Sequence, residues 1–210
     1  MSNPKATALY TLVLAATLFL SPIVNAQQNR PDALQLYRER RFNEAIAVTL
    51  QEIQVNPANV DSYVVLGWSL LDVQRYQDAL RYMDQALRVS RFDHRLLHIT
   101  AEAHYALGNG DAALRFIHEY INVTPQGRFA SRLYFLMGEI LLSYEEYNHA
   151  DIAFTKATFL EPQLSQGWVR AGIARERAGS YALAVAAYQE ALRLNPALTE
   201  AQQGLLRVAE

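Results

Sequence analysis

The segment SQGWVRAGIARERAGSYALAVAAYQEALRLNPAL, residues 165–198, shares a pattern of small, aromatic and proline residues with the 34 residues before it. Those residues, 131–164, are SRLYFLMGEILLSYEEYNHADIAFTKATFLEPQL. A glycine, a tyrosine, an alanine and a proline stand at matching positions in both segments. A fixed period of this length is the signature of a stacked helical array, so the chain is predicted to repeat one supersecondary unit.

The same period extends towards the amino terminus. One alanine recurs at intervals of 34, 34, 37 and 34 residues, and the aligned positions are Ala45, Ala79, Ala113, Ala150 and Ala184. The longer interval contains three extra residues, Arg128, Phe129 and Ala130. We expect them to lengthen one connection on the surface. The alternative is that they change the local angle between units.

Each unit has the pattern of two amphipathic helices. In the unit that starts near Val60, apolar residues recur at the three- and four-residue spacing of a helix with one buried face. Glycine inside a helix costs roughly 1 kcal/mol relative to alanine. Gly67, Gly138 and Gly172 nevertheless occupy equivalent positions. Their recurrence predicts that paired helices approach too closely there for a β-carbon.

These features resemble the tetratricopeptide repeat, whose pattern combines Leu-Gly, aromatic residues, alanines and a closing proline. The resemblance covers residues 31–210 and implies an all-α fold, a right-handed α-solenoid of stacked helix-turn-helix repeats. The best copy consists of Trp168, Ala171, Gly172, Gly179, Tyr181, Ala184, Tyr188, Ala191 and Pro196. The preceding copy consists of Tyr134, Met137, Gly138, Tyr147, Ala150, Phe154, Ala157 and Pro162.

The boundaries follow from the period. We predict a cleavable signal peptide at residues 1–26 and a tetratricopeptide domain at residues 27–210. The last helix has a polar face typical of the caps that such arrays need for solubility. The predicted repeats are 31–59, 60–93, 94–130, 131–164 and 165–198, with a capping helix at 199–210.

The amino terminus has the features of an export signal. Lys5 follows the start, Ala6 to Leu20 are largely apolar, and Val24-x-Ala26 forms a small-residue cleavage site. Fifteen residues span roughly 22 Å as a helix, which is shorter than a bilayer core. We therefore expect an exported, periplasmic or secreted protein with no membrane span after cleavage. An uncleaved anchor is the alternative.

Composition and motifs exclude several classes of function. With 19 basic and 21 acidic residues, the chain lacks the basic excess of a nucleic-acid binder. It contains no cysteine, which excludes disulfides and thiolate chemistry. No nucleophile elbow, phosphate-binding loop or dinucleotide fingerprint is found. We expect no enzymatic activity, no catalytic residues and no cofactor.

The resemblance implies that the first helix of each unit lines a concave surface that binds a protein or peptide. Large aromatic residues and arginines on these helices are the predicted anchors, because such residues dominate binding at interfaces. Aliphatic residues on the same faces, such as Val64 and Leu142, could also line the groove. The alternative for them is that they pack between neighbouring helices. The predicted groove residues are Tyr37, Arg38, Trp68, Arg95, His98, Glu102, Tyr105, Arg132, Phe135, Glu139 and Arg170.

A metal site is a weaker alternative. His94, His98 and Glu102 are spaced four residues apart on one helix, so all three can share a face. No recognised metal-binding motif accompanies them. Solvated or groove-lining histidines are therefore the preferred interpretation, and no metal is expected.

The sequence thus predicts an exported scaffold that binds another protein of the cell envelope through its concave groove. A structural role is the alternative, in which the array self-associates or docks by its edge into a larger assembly. Substitutions in the groove test the first hypothesis, and substitutions on the closing helix test the second.

Overall fold

The computed structural model describes residues 32–208, which form eleven α-helices and no β-strand. The helices alternate between the first and second members of successive pairs. They are α1 (Ala33–Arg38), α2 (Phe42–Val55), α3 (Val60–Asp72), α4 (Tyr76–Val89), α5 (His94–Ala106), α6 (Gly110–Val123), α7 (Ala130–Ser143), α8 (Tyr147–Leu160), α9 (Ser165–Arg177), α10 (Tyr181–Leu194) and α11 (Thr199–Val208).

The odd-numbered helices form the inner layer of a curved stack. Each helix packs against the next one in the chain, and each odd-numbered helix also packs against the next odd-numbered helix. Within residues 32–208 the even-numbered helices make no comparable contact with one another. In this part of the chain, successive odd-numbered helices pack against one another, whereas successive even-numbered helices do not. The odd-numbered helices therefore lie on the concave side, and the even-numbered helices lie outside.

A tight turn of one type joins the two helices of every pair. One residue in each turn adopts a left-handed backbone, with φ between 59° and 76°. Glycine takes this conformation without steric cost, but only two of the five turns use it. The five residues are Arg40, Gln74, Gly108, Glu145 and Gly179.

The helices approach most closely at the predicted glycines. A β-carbon on Gly138 would lie 2.5 Å from the ring of Phe154, and one on Gly172 would lie 2.5 Å from the ring of Tyr188. The predicted close approach is confirmed at both positions. At Gly67 the nearest atoms, 2.9–3.0 Å away, are side-chain carbons of Ile99 and Met83, which are more flexible than a ring.

The core is sensitive to added volume at Ala79. This residue is fully buried on α4, in a cluster that includes Leu66, Met83 and Ile99. We expect Ala79→Leu to destabilise the protein by about 1–3 kcal/mol, because extra methylene groups force neighbouring side chains out of their preferred rotamers. Urea unfolding followed by circular dichroism measures the change. Equal stability of the variant and the wild type would contradict this account of the packing.

The connection between α6 and α7 differs from the others. It contains residues 124–129, whereas four residues separate α2 from α3, α4 from α5 and α8 from α9. Helix α7 also has one residue more than α5 or α9. The three extra residues predicted from the repeat period are therefore divided between a longer loop and a longer helix.

Candidate binding groove

A cavity of about 1000 Å³ occupies the concave side of the amino-terminal half, and we call it the N-terminal groove. Helices α1, α3 and α5 form its floor, and the connection between α6 and α7 reaches into it. Eight of the eleven predicted groove residues line this cavity, and they are Tyr37, Arg38, Trp68, Arg95, His98, Glu102, Tyr105 and Arg132.

A chain of aromatic rings crosses the N-terminal groove. The ring centroids of Tyr37 and Trp68 are 5.6 Å apart, and those of Trp68 and Phe129 are 6.5 Å apart. Phe129 in turn stacks on His98, with centroids 3.8 Å apart and planes 13° from parallel. The rings come from α1, α3, α5 and the longer connection. The packing of successive inner helices brings together residues that are distant in sequence.

Phe129 enters the groove because its backbone is held in place. Its backbone N–H donates a hydrogen bond to the Tyr120 hydroxyl oxygen, at 3.0 Å. The longer connection can therefore turn inward before α7 begins. The ring of Phe129 covers His98, whose side chain is only 8% exposed. Of the two interpretations that the sequence allowed, solvated or groove-lining, the second applies to His98. Its ring lies beneath that of Phe129 and does not face solvent.

The arginines predicted as partner anchors form ion pairs within the protein. Arg95 Nη1 lies 2.7 Å from Asp61 Oδ1, and Arg132 Nε lies 3.0 Å from Glu102 Oε1. Each pair joins neighbouring first helices, so the pairs form a ladder along the concave surface. Surface ion pairs of this kind contribute little stability individually. A carboxylate from another molecule would have to compete with the internal one for each of these arginines.

The ladder continues beyond the N-terminal groove. Arg170 Nε lies 2.9 Å from Glu139 Oε1, and Arg170 Nη1 lies 3.3 Å from Glu200 Oε1. Phe135 packs edge-on against Phe154, with ring centroids 5.6 Å apart. Three predicted groove residues, Phe135, Glu139 and Arg170, are not part of the lining of the cavity. The sequence pattern assigned them to the correct inner helices but could not show that internal contacts hold them.

Tyr37 and Glu102, which both line the groove, have strongly shifted pKa values. Burial raises the pKa of Tyr37 to about 12, with a further contribution from the negative charge of Asp72. Burial would also raise the pKa of Glu102, but the hydrogen bond and charge of His98, together with Arg132, outweigh it. They lower the pKa of Glu102 to about 2. Glu102 is therefore ionised at neutral pH and contacts both His98 and Arg132.

We expect the stability supplied by Glu102 to fall in acid. Its ionised form is favoured in the folded protein, since its pKa lies near 2 instead of the ordinary value of 4.5. This contribution is complete above pH 4.5 and is lost as the pH falls towards 2. Between pH 5.5 and 3, the wild type should lose roughly 2 kcal/mol more stability than Glu102→Gln. Urea unfolding at both pH values measures this difference, and parallel losses would contradict the assignment.

The alternative metal site does not form in the structure. The ring of His94 lies edge-on to Tyr120, whereas the ring of His98 lies under Phe129. Among residues 32–208, no group of three histidine, aspartate or glutamate side chains is placed to hold a metal ion. His98 does contact Glu102, with its Nε2 3.3 Å from the carboxylate, but the ring of His94 lies against Tyr120 instead of joining them.

Sequence analysis missed Arg128 and Phe129 as groove residues. Both lie in the cavity, and the Arg128 guanidinium is 5.7 Å from the centre of the Phe129 ring. The interval of 37 residues signalled the insertion, but it did not show on which side of the stack the extra residues lie. We therefore add both residues to the site.

The family model for the tetratricopeptide repeat matches residues 64–127 and 147–204, which are more than half of the chain. The chain belongs to the tetratricopeptide repeat family. The predicted fold class, a right-handed α-solenoid of such repeats, is confirmed. A comparison with curated proteins finds no match.

Several solved structures share this fold. A crystal structure of MamA has a TM-score of 0.69 at 20% identity and covers 78% of this chain and 88% of its own. MamA from Desulfovibrio magneticus has a TM-score of 0.70 at 16% identity, with coverages of 80% and 93%. YrrB, described as a TPR protein with an unusual peptide-binding site, has a TM-score of 0.70 at 16% identity, with coverages of 87% and 97%.

The predicted signal peptide, residues 1–26, lies outside the residues that the structure describes. Over residues 32–208, no helix is both long enough and apolar enough to cross a membrane. The fold and the family together support a class of protein that binds proteins or peptides.

Proposed function

We propose that this protein is an exported, non-catalytic scaffold that binds a segment of a cell-envelope protein in the N-terminal groove. The observation that carries the proposal is that the rings of Tyr37 and Trp68 lie together in an open concave cavity. Aromatic side chains are the usual anchors of protein interfaces. The fold is also that of YrrB, which is described as having a peptide-binding site.

The groove binds by holding its anchors in fixed positions. Tyr37 contacts both Phe42 and Trp68, with ring centroids 5.6 Å apart in each pair. The adjoining ion pairs of Arg95 and Arg132 tie α3, α5 and α7 together. Side chains that are already ordered lose little entropy when a partner binds. A surface with ordered side chains therefore binds a flexible segment more tightly than a surface with mobile side chains does.

The proposed location rests on the amino-terminal sequence. Lys5, the apolar run from Ala6 to Leu20 and the site before Gln27 are the features that support export. On this proposal, the scaffold comprises the five predicted repeats and the closing helix after cleavage. The alternation of inner and outer helices supports that division.

A second candidate function is self-association or edge-on docking through the closing helix. The observation in its favour is Leu206, an apolar side chain on α11 that is 71% exposed. Leu206→Arg would disrupt such an assembly and leave the N-terminal groove intact. Trp68→Ala would have the opposite effects.

Photo-crosslinking in cells tests the proposed function. Benzophenone side chains at positions 38 and 68 sample the rim and floor of the groove, and the control is position 193 on α10. Arg193 is 63% exposed and lies on an outer helix. We expect one envelope protein, identified by mass spectrometry, to be captured from 38 and 68 but not from 193. Capture of the protein itself alone, or equal capture at all three positions, would contradict the proposal.

A further inference from the structure

The longer connection places a basic and an aromatic side chain in the N-terminal groove. Phe129 is stacked on His98 and lies next to Trp68. Arg128 lines the same cavity and lies over the ring of Phe129. These two side chains therefore occupy space in the cavity that a partner's side chains would otherwise fill.

The position of Arg128 is electrostatically favourable. Its positive charge acts on the hydroxyl of Tyr37, against the larger effects of burial and of Asp72. Asp72, whose charge acts on the same hydroxyl, also lines the cavity. Phe129 lies beside the rings of His98 and Trp68, and Arg128 lies over Phe129 in a cavity that also contains Asp72. A guanidinium over the face of an aromatic ring is a favourable contact.

The remaining charges of the groove also favour a basic partner. Three carboxylates of the lining, Asp32, Glu52 and Asp72, have no arginine within ion-pair distance in the described part of the chain. Arg95 is held by Asp61 and Asp93, and Arg132 is held by Glu102. Arg38, which is exposed at the end of α1, is the remaining basic residue of the lining besides Arg128.

We infer that Arg128 and Phe129 act as an internal occupant of the N-terminal groove, and that the partner segment carries the same chemistry, an aromatic residue next to an arginine or lysine. The inference rests on the proposed function of the groove. Such a segment displaces the Phe129 ring from His98 and meets the charge of Asp72. The internal pair weakens partner binding because it must be displaced first.

The substitutions that remove the internal occupant leave its backbone support in place. The hydrogen bond that holds the connection comes from the backbone N–H of Phe129, which alanine retains. Lys156 and Phe159 supply a matched control on α8, since the Lys156 ammonium lies 5.0 Å from the centre of the Phe159 ring. Phe159 is 70% exposed, and neither residue lines the groove.

A peptide library tests the inference. Random 12-residue peptides displayed on phage are selected on the full chain, and those that also bind Trp68→Ala are removed. We expect the remaining peptides to share an aromatic residue next to arginine or lysine. A synthetic peptide with that pattern should bind the double variant Arg128→Ala, Phe129→Ala at least fivefold more tightly than the wild type. The double variant Lys156→Ala, Phe159→Ala should bind within twofold of the wild type.

The outcomes separate this inference from the proposed function. Acidic peptides that require Trp68 would overturn the inference and leave the groove as the binding site. Weaker binding by the Arg128→Ala, Phe129→Ala variant would also overturn it, because Phe129 would then be part of the wall. Failure to recover any peptide that requires Trp68 would count against both proposals. The single variant Arg128→Ala, at an exposed position, should also bind the peptide more tightly than the wild type. This test keeps the ring of Phe129, so its result does not depend on losing the ring.

Discussion

Gly172→Ala is expected to destabilise the protein by about 2 kcal/mol, although alanine is the better helix former by roughly 1 kcal/mol. The added β-carbon would lie 2.5–2.6 Å from two ring carbons of Tyr188. The ring cannot move away, because Gly204 lies against it on α11 and a β-carbon there would also overlap it. Its hydroxyl is held as well, since it donates a hydrogen bond to Glu176 at 2.6 Å. Urea unfolding measures the loss.

Gly67→Ala is the matched control for this prediction. The new β-carbon would meet only the flexible side chains of Ile99 and Met83, at 2.9–3.0 Å. Small rotations of those side chains relieve the contact, and the gain in helix propensity offsets the remaining cost. We expect the free energy of unfolding to stay within about 1 kcal/mol of the wild-type value.

A double-mutant cycle isolates the contact between Gly172 and Tyr188. In the background of Tyr188→Leu the ring is absent, so Gly172→Ala should add no further loss of stability. If alanine at position 172 destabilised both backgrounds equally, the cost would arise elsewhere than at the ring. If Gly67→Ala and Gly172→Ala had equal effects, flexibility of the neighbouring side chain would not be the deciding factor.

The sequence predicted the repeat architecture because the residues that specify it are set by local sterics. Gly138 and Gly172 face rings across a helix pair, and no larger residue fits those positions without movement. A small residue, glycine or alanine, recurs at this position in every unit, so the period is visible without knowledge of the fold. The left-handed turns were less visible, since Arg40, Gln74 and Glu145 adopt a conformation for which glycine is the expected residue.

The candidate site was only partly predictable, because its details depend on the register between helices. Arg95 pairs with Asp61, 34 residues earlier, whereas Arg132 pairs with Glu102, 30 residues earlier. A period alone cannot show which carboxylate an arginine reaches. The direction of Phe129 depends likewise on a hydrogen bond to Tyr120 that no local pattern encodes. The residue types of the groove were therefore predictable, but their availability to a partner was not.

Trp68→Ala is expected to weaken binding of the captured partner at least 30-fold. Trp68 stands at the centre of the ring chain, 5.6 Å from Tyr37 and 6.5 Å from Phe129 by ring centroids. Central aromatic residues of an interface contribute 2 kcal/mol or more when they are truncated, and 1.4 kcal/mol corresponds to about tenfold in affinity. Binding of the purified partner, followed by calorimetry, measures the change.

Two variants separate lost contact from lost folding in this experiment. Trp68 also packs against the core cluster around Leu66, so the alanine variant is compared with the wild type by thermal unfolding. Trp68→Phe retains a ring and much of the packing, and we expect it to keep most of the affinity. Phe159→Ala removes an exposed ring that does not line the groove, and this variant should bind as the wild type does. If a folded Trp68→Ala variant retained full affinity, the partner would bind elsewhere, and the ring chain would serve the packing of α1 against α3.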